Sequence, residues 1–227
     1  MRAVVNVATH GKYLTYRERL RAVLVWQRET FITWDEELPP GSPAHKDRPF
    51  AFKFYAIQEA LNRGCSTILW ADSSIVPIKP LASLWDLIEK QGYWLSANLP
   101  HGKSGVAPWS TGTWTSDAAL KPLGITRKES FQIPHVIGTA FGLDIRHPIA
   151  QQFLKAYGEL AEGTAFCGPT INDKGQASSD QRVMGHRHDQ TAASVIAYRL
   201  GMTLTIPPAW IVDGIPATQE TVLEIHR

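Results

Sequence analysis

The stretch ILWADSSIVPIKP, residues 68–80, decides how the rest of the chain is read. Ile68 to Ala71 is an apolar run of the kind that fills a buried strand. It stops abruptly at Asp72, and two hydroxyls follow, Ser73 and Ser74. A carboxylate at the carboxyl end of a parallel strand stands where ligands bind in open α/β sheets. Together with Ser73 and Ser74 it offers oxygen ligands to a hard cation and to a phosphorylated substrate. The competing reading is local, because Asp and Ser are ordinary turn residues and Asp72 then caps a turn. The surrounding chain has to choose between the two.

Upstream, Val4 to Ala8 is a short β-branched run suited to a first buried strand, with Thr9, His10 and Gly11 forming the loop after it. Tyr16, Leu20, Val23 and Leu24 predict a helix over Thr15 to Arg28. The prolines of Leu38 to Pro49 predict a loop, since they remove backbone donors and fix turns. Phe50, Phe54, Ile57 and Leu61 then recur at helical spacing and Gly64 supplies the stop. Thr67 to Ala71 is the strand that leads into Asp72.

Downstream, Pro80 opens a helix with Leu81, Leu84, Trp85 and Ile88 on one face, ended by Gly92. Tyr93 to Ala97 reads as a strand, as does Val136 to Leu143 (VIGTAFGL), whose glycines mark close approach of backbone or ligand. Pro148 starts a helix with Ile149, Phe153, Ala156 and Leu160 inward. A helix over Thr191 to Leu200 ends at Gly201, and Met202 to Ile206 and Trp210 to Val212 are short strands. Two long loops lie at about residues 100–116 and 163–185, and loops of that length in a compact domain are usually functional. Strands alternating with helices predict an α/β three-layer sandwich with a mainly parallel central sheet, as one domain over residues 1–227. Neither a GxGxxG fingerprint nor a GxxxxGK[ST] loop occurs, which argues against a dinucleotide binder of that type or a P-loop NTPase.

Of 227 residues, 44% are hydrophobic and 19% charged, an ordinary globular mix that suits one domain with a sizeable core. A net charge of +2 argues against a nucleic-acid coat protein or a polybasic membrane binder. It leaves a nucleic acid open only as an acceptor of chemistry. Cys65 and Cys167 are far apart and outside any metal-type spacing, which fits a reducing compartment. The opening MRAVVNVAT is no signal peptide and no run of about 18 apolar residues occurs, so the expectation is a cytoplasmic protein without a membrane segment.

Several features now stand in one order: a lysine-bearing helix (Lys53 in FAFKFYAI), a strand ending in an acidic motif, a helix opening with KPL, VIGTAFGL, and HDQTAASVIA. This order resembles the GT-A fold of nucleotide-sugar glycosyltransferases, most closely the glycogenin and bacterial galactosyltransferase type, from Val4 to about Ile206. In that family the acidic motif is usually DxD. The resemblance implies transfer of a sugar from a nucleotide-sugar donor, UDP-linked, to a hydroxyl acceptor, with retention of anomeric configuration. It implies that Thr9 and His10 touch the base or ribose and that Lys53 approaches the diphosphate or donor sugar. Asp72 would bind ribose and a divalent metal, Mn2+ or Mg2+. Gly138, Thr139 and Ala140 would run past the sugar or acceptor, and Asp189 would sit beside the transferring carbon. One departure matters: the last acid of the family motif is Ser74 here, and a hydroxyl lacks the charge that makes such a site tight. His226 is the late-chain candidate for a further metal ligand.

Glycosyl transfer requires a counter-charge for the leaving diphosphate, a positioned and deprotonated hydroxyl, and exclusion of water. Asp72 and Lys53 meet the first need, Asp189 or His188 the second, and the long loops with Trp109 and Trp114 the third. Each has a plainer role in competition. Asp189 precedes a helix and suits an N-cap, Lys53 suits a solvated helix face, and His186 with His188 superficially suggests a zinc pair without a wider ligand set. Two other functions stay open: a non-catalytic GT-A relative that binds nucleotide or carbohydrate, motivated by Ser74, and a sugar-phosphate nucleotidyltransferase, which lacks its glycine- and Arg/Lys-rich first loop here.

Overall fold

The computed structural model describes residues 1–98 and 110–226. The loop expected over 100–116 lies outside the described residues as far as residue 109, Trp109 included. In chain order the elements are β1 (Arg2–Val7), α1 (Lys12–Trp26), β2 (Phe31–Trp34), α2 (Phe52–Asn62), β3 (Thr67–Ala71), β4 (Ile75–Pro77), α3 (Ala82–Gln91) and β5 (Tyr93–Trp94). Then come α4 (Asp117–Leu123), α5 (Arg127–Ser130), β6 (Ala140–Asp144), α6 (Pro148–Glu162), α7 (His188–Arg199), β7 (Trp210–Val212) and β8 (Thr221–Ile225).

Five strands form one sheet in the order β2-β1-β3-β6-β5. β1 pairs in parallel with β2 and β3, and β6 runs antiparallel between β3 and β5. The sheet is therefore mainly parallel, with β6 as its reversed strand. A second sheet, β4-β8-β7, sits just beyond Asp72.

Strand alternation builds the layers, because successive side chains point to opposite faces. Ala3, Val5, Ile68 and Trp70 face one core, shared with α2, α6 and α7 through Ile57, Phe153, Tyr157 and Val195. Val4, Leu69 and Ala71 face the other, filled by Leu20 and Leu24 of α1 and Leu84, Trp85 and Ile88 of α3. Helix, sheet and helix make the three layers.

Several local expectations are corrected. The strand expected over Val136 to Leu143 is regular only over Ala140–Asp144. The preceding backbone serves other partners: Val136 N–H is held by Ser194 Oγ, Gly138 O accepts from Lys53, and Thr139 O accepts from Asp72 N–H. The expected strand over Met202 to Ile206 reduces to a single bridge from Thr205 to Ser96. On α2 the buried face is Lys53, Ala56, Ile57 and Ala60, turned from the Phe50-Phe54-Ile57-Leu61 stripe, and Phe50 lies before the helix at φ 64°. Loop 163–185 holds one 3-10 turn, Asp173–Gly175, and is pinned by buried Ala165, Phe166, Ala177 and Val183.

Candidate functional site

Trp70 and Asp72 are two residues apart at the end of β3, so both point to the face covered by α2 and α7. The Trp70 Nε1–H donates to Asp72 Oδ1 at 2.8 Å. α2 brings Lys53 to the same point, with Nζ 3.2 Å from Asp72 Oδ1 and 2.7 Å from Asp189 Oδ2, and donating to Gly138 O at 2.7 Å. The ammonium also stands over the rings of Trp70 and Phe50, at 5.2 and 5.4 Å from their centroids. Lys53 is 1% exposed and Asp189 4%. The solvated-helix reading of Lys53 therefore fails. The chemical signal for it was present, since Lys53 lies three and four residues before Ala56 and Ile57 on one helical face.

Burial disfavours the charge on Lys53, but the Asp189 and Asp72 carboxylates outweigh it and raise its pKa. For Asp72, burial and the neighbouring Asp189 outweigh Lys53 and raise the carboxyl above its ordinary range. Removing one partner from such a buried set costs about 3–5 kcal/mol, because a charge is left uncompensated.

Asp189 does not cap α7. Arg187 is the N-cap residue, without a side-chain cap bond, and Asp189 lies in the first turn with its carboxylate on Lys53. The start of α7 is fixed by His188, whose φ is 33°. Its Nδ1 bonds Phe166 O at 2.8 Å and its Nε2 pairs with Thr170 Oγ1 at 3.3 Å. The two bonds hold an uncommon backbone conformation and tie loop 163–185 to the site. His186 is likewise bonded, Nε2 to Ala165 O at 2.8 Å. The pair thus serves the backbone rather than zinc. Burial lowers His186 and His188 to about 4, with the other imidazole a second cause at His186, so both are neutral near pH 7.

Gly138 passes directly over Asp189 and Gln190: a Cβ there would lie 2.4 Å from Gln190 Cγ and 3.1 Å from Asp189 Oδ2. Next to it, Thr139 Oγ1 is buried without a hydrogen bond. Thr9 and His10 follow β1, with Thr9 Oγ1 3.2 Å from His10 Nδ1, and His10 is exposed. His45 links this corner to the acidic centre: burial lowers its pKa, His10 and Lys53 push it down further, and Asp189 pulls it up. Ser73 turns the other way. Its Oγ is buried against Asn6, accepting from Nδ2 at 3.2 Å, and Asn6 also holds Ala71 O at 2.7 Å. Ser73 thus ties β1 to the turn. Asn6, Trp70 and Tyr157 are site neighbours that sequence reasoning missed, Tyr157 being a buried phenol whose pKa is raised by burial first and then by Asp189 and Asp72. For Trp70 the i, i+2 spacing to Asp72 was the available signal.

The expected metal ligands are partly brought together. His226 N–H donates to Ser74 O at 2.8 Å, so pairing of β4 with β8 sets residue 226 beside the acidic motif. As a donor set, however, Asp72, Ser74 and His226 do not fit a tightly held divalent cation. Asp72 Oδ1 is engaged by Lys53 and Trp70, Ser74 is uncharged, and His226 Nε2 lies on Glu224 Oε1 at 3.1 Å. Among the described residues no group of three or more His, Cys, Asp or Glu is arranged to hold a metal.

The architecture has a solved counterpart. A crystal structure of a glycosyltransferase involved in the glycosylation of the major capsid of PBCV-1 matches 99% of this chain and 93% of its own, with TM-score 0.54 and 12% identity. The fold is GT-A-like. A structure of galactosyltransferase LgtC in complex with donor and acceptor sugar analogs covers 100% of this chain and 87% of its own, at TM-score 0.46 and 10% identity. No family model matches the sequence, and no curated protein does. No helix among the described residues is long and apolar enough to cross a membrane.

Proposed function

We propose that the chain is a glycosyltransferase, moving a sugar from a nucleotide-sugar donor, UDP-linked, to a hydroxyl acceptor. The observation that carries this reading is the convergence of Lys53, Asp72 and Asp189 at the end of β3 on a GT-A-like fold. A buried ion group in that place is where this architecture puts ligand chemistry, at the carboxyl ends of parallel strands.

In the proposed reaction the bond from the anomeric carbon to the diphosphate breaks and its electron pair leaves on the diphosphate oxygen. The acceptor oxygen bonds to the same carbon and gives its proton to the Asp189 carboxylate. Asp189 is the carboxylate that faces the transferring carbon, aimed by Lys53 from one side and by the start of α7 from the other. Gly138, Thr139 and Ala140 run past the sugar or the acceptor, as the resemblance implies. His188 acts on position rather than on protons, since both ring nitrogens are engaged. Thr9 and His10 face the nucleoside. Retention of configuration follows the resemblance. No step is routed through a metal, because the available donor set does not fit one.

The test is a thermal-shift screen against UDP, GDP and CMP and their sugars, followed by release of nucleoside diphosphate in the presence of candidate hydroxyl acceptors. A ligand that binds only the native state raises the melting temperature by mass action. Selective stabilisation with turnover supports the reading. Stabilisation without turnover or donor hydrolysis indicates instead a nucleotide- or carbohydrate-binding relative, the alternative that Ser74 favours. No stabilisation by any nucleotide overturns both.

A further inference from the structure

We infer that Lys53 is the resident cation of this site: its ammonium occupies the carboxylates that would otherwise hold a divalent ion, so donor binding and transfer proceed without one. The inference rests on the transferase reading above and concerns what balances the charge at its centre.

Three observations carry it. First, the carboxylates of Asp72 and Asp189 converge on one point, and that point is filled by Nζ at 3.2 and 2.7 Å. Two carboxylate oxygens meeting at one place are what a hard cation seeks, and here a lysine has taken the position from inside the core. Second, the ammonium is fixed on every side, by Gly138 O at 2.7 Å and by the Trp70 and Phe50 rings. Withdrawing it to admit a metal would break a charge-assisted hydrogen bond to Asp189 as well as these contacts. Third, the motif's final acid is absent: Ser74 is neutral, and its backbone carbonyl is engaged by His226 N–H. Absence of that acid lowers the negative charge offered to a cation, and the ammonium between Asp72 and Asp189 lowers it further. Both make a divalent ion less welcome.

Lys53 is thus a positioning residue, buried behind the carboxylates that face the donor. Its replacement has a consequence that a merely structural lysine would not produce. With Lys53→Met the two carboxylates lose their cation and gain affinity for Mn2+, so the variant's donor binding becomes metal-dependent.

The experiment measures Mn2+ binding by calorimetry, together with UDP-sugar affinity and turnover in EDTA and in Mn2+, for the wild type and Lys53→Met. The expected result is a wild type that binds no Mn2+ and behaves alike in both buffers, beside a variant that binds Mn2+ and needs it. A wild-type donor affinity that falls roughly tenfold or more in EDTA, about 1.4 kcal/mol, overturns the inference and leaves the transferase reading standing. A folded Lys53→Met indifferent to Mn2+ overturns it as well. If that variant does not fold, the wild-type comparison decides alone. No binding of any nucleotide sugar in either buffer removes the transferase reading, and the inference with it.

Discussion

Asp189 and Gly138 are the two positions where single atoms matter most. Asp189→Asn keeps the shape of the side chain and removes its charge. Transfer should fall about 10²–10⁴-fold, the usual contribution of a positioned acid–base group. Steady-state kinetics measure the loss, and the thermal shift given by the donor should persist. Asp72→Ala should abolish transfer and cost about 3–5 kcal/mol of stability, while circular dichroism still shows the fold, because Lys53 keeps Asp189 and Gly138 O as partners. Unchanged activity would return Asp72 to the role of a turn residue. At Gly138 an added methyl meets Gln190 Cγ at 2.4 Å and crowds Asp189 Oδ2 at 3.1 Å. Gly138→Ala is therefore expected to cost about 1–3 kcal/mol in denaturant unfolding and to lower turnover with it. A loss of stability without a loss of turnover would show that Asp189 does not need its present position.

Among the elements, β3 and α3 were legible because each carries its own boundary: an apolar run ended by Asp72, and a periodic face ended by Gly92 at φ 89°. The short strands β2, β4 and β8 were not. FITW, IVP and TVLEI are too brief for alternation to declare itself, and they become strands only by pairing with partners distant in sequence. The same limit applies to the site. Asp72 announces itself at a strand end, but the Lys53–Asp189 contact joins residues far apart in the chain, and no local pattern encodes it. The rotation of α2 that buries Lys53 is set by packing. Gly158 of α6 lies against Phe54, where a Cβ would come within 2.5 Å of the ring. Gly158→Ala should thus push α2 away from α6 and cost about 1–3 kcal/mol, read from denaturant midpoints. Because Lys53 faces the sheet rather than α6, the donor-induced thermal shift should survive; its disappearance would mean that the helix moves as a rigid rod.

At the scale of the whole molecule, three histidines among the described residues are buried in neutral form, and they set its tolerance of acid. His186 and His188 are lowered to about 4 and His135 to about 3, each by burial first. The unfolded chain binds a proton at each below the ordinary value near 6.5, whereas the folded chain does not. Their contribution to stability is therefore complete above pH 6.5 and drains away as pH falls towards 4 and then 3. At about 1.4 kcal/mol per unit the loss is roughly 3 kcal/mol or more for each residue. Together that is comparable with a typical total stability of about 5–15 kcal/mol. Melting temperatures measured from pH 7 to pH 4 should fall steeply, and His135→Gln should soften the fall; a flat profile would refute the assignment. The pairing of β4 with β8, which sets His226 beside Ser74, has its own consequence for how the chain reaches its working form. Contacts this distant in sequence are late and slow to form, because loop closure precedes any gain from them. A nascent or nicked chain holding everything through β6 would possess Lys53 and Asp72 and still lack both Asp189 and the strand that flanks Ser74. Ligand capture would then report the completion of folding itself, and time-resolved refolding should recover helical signal before it recovers nucleotide binding.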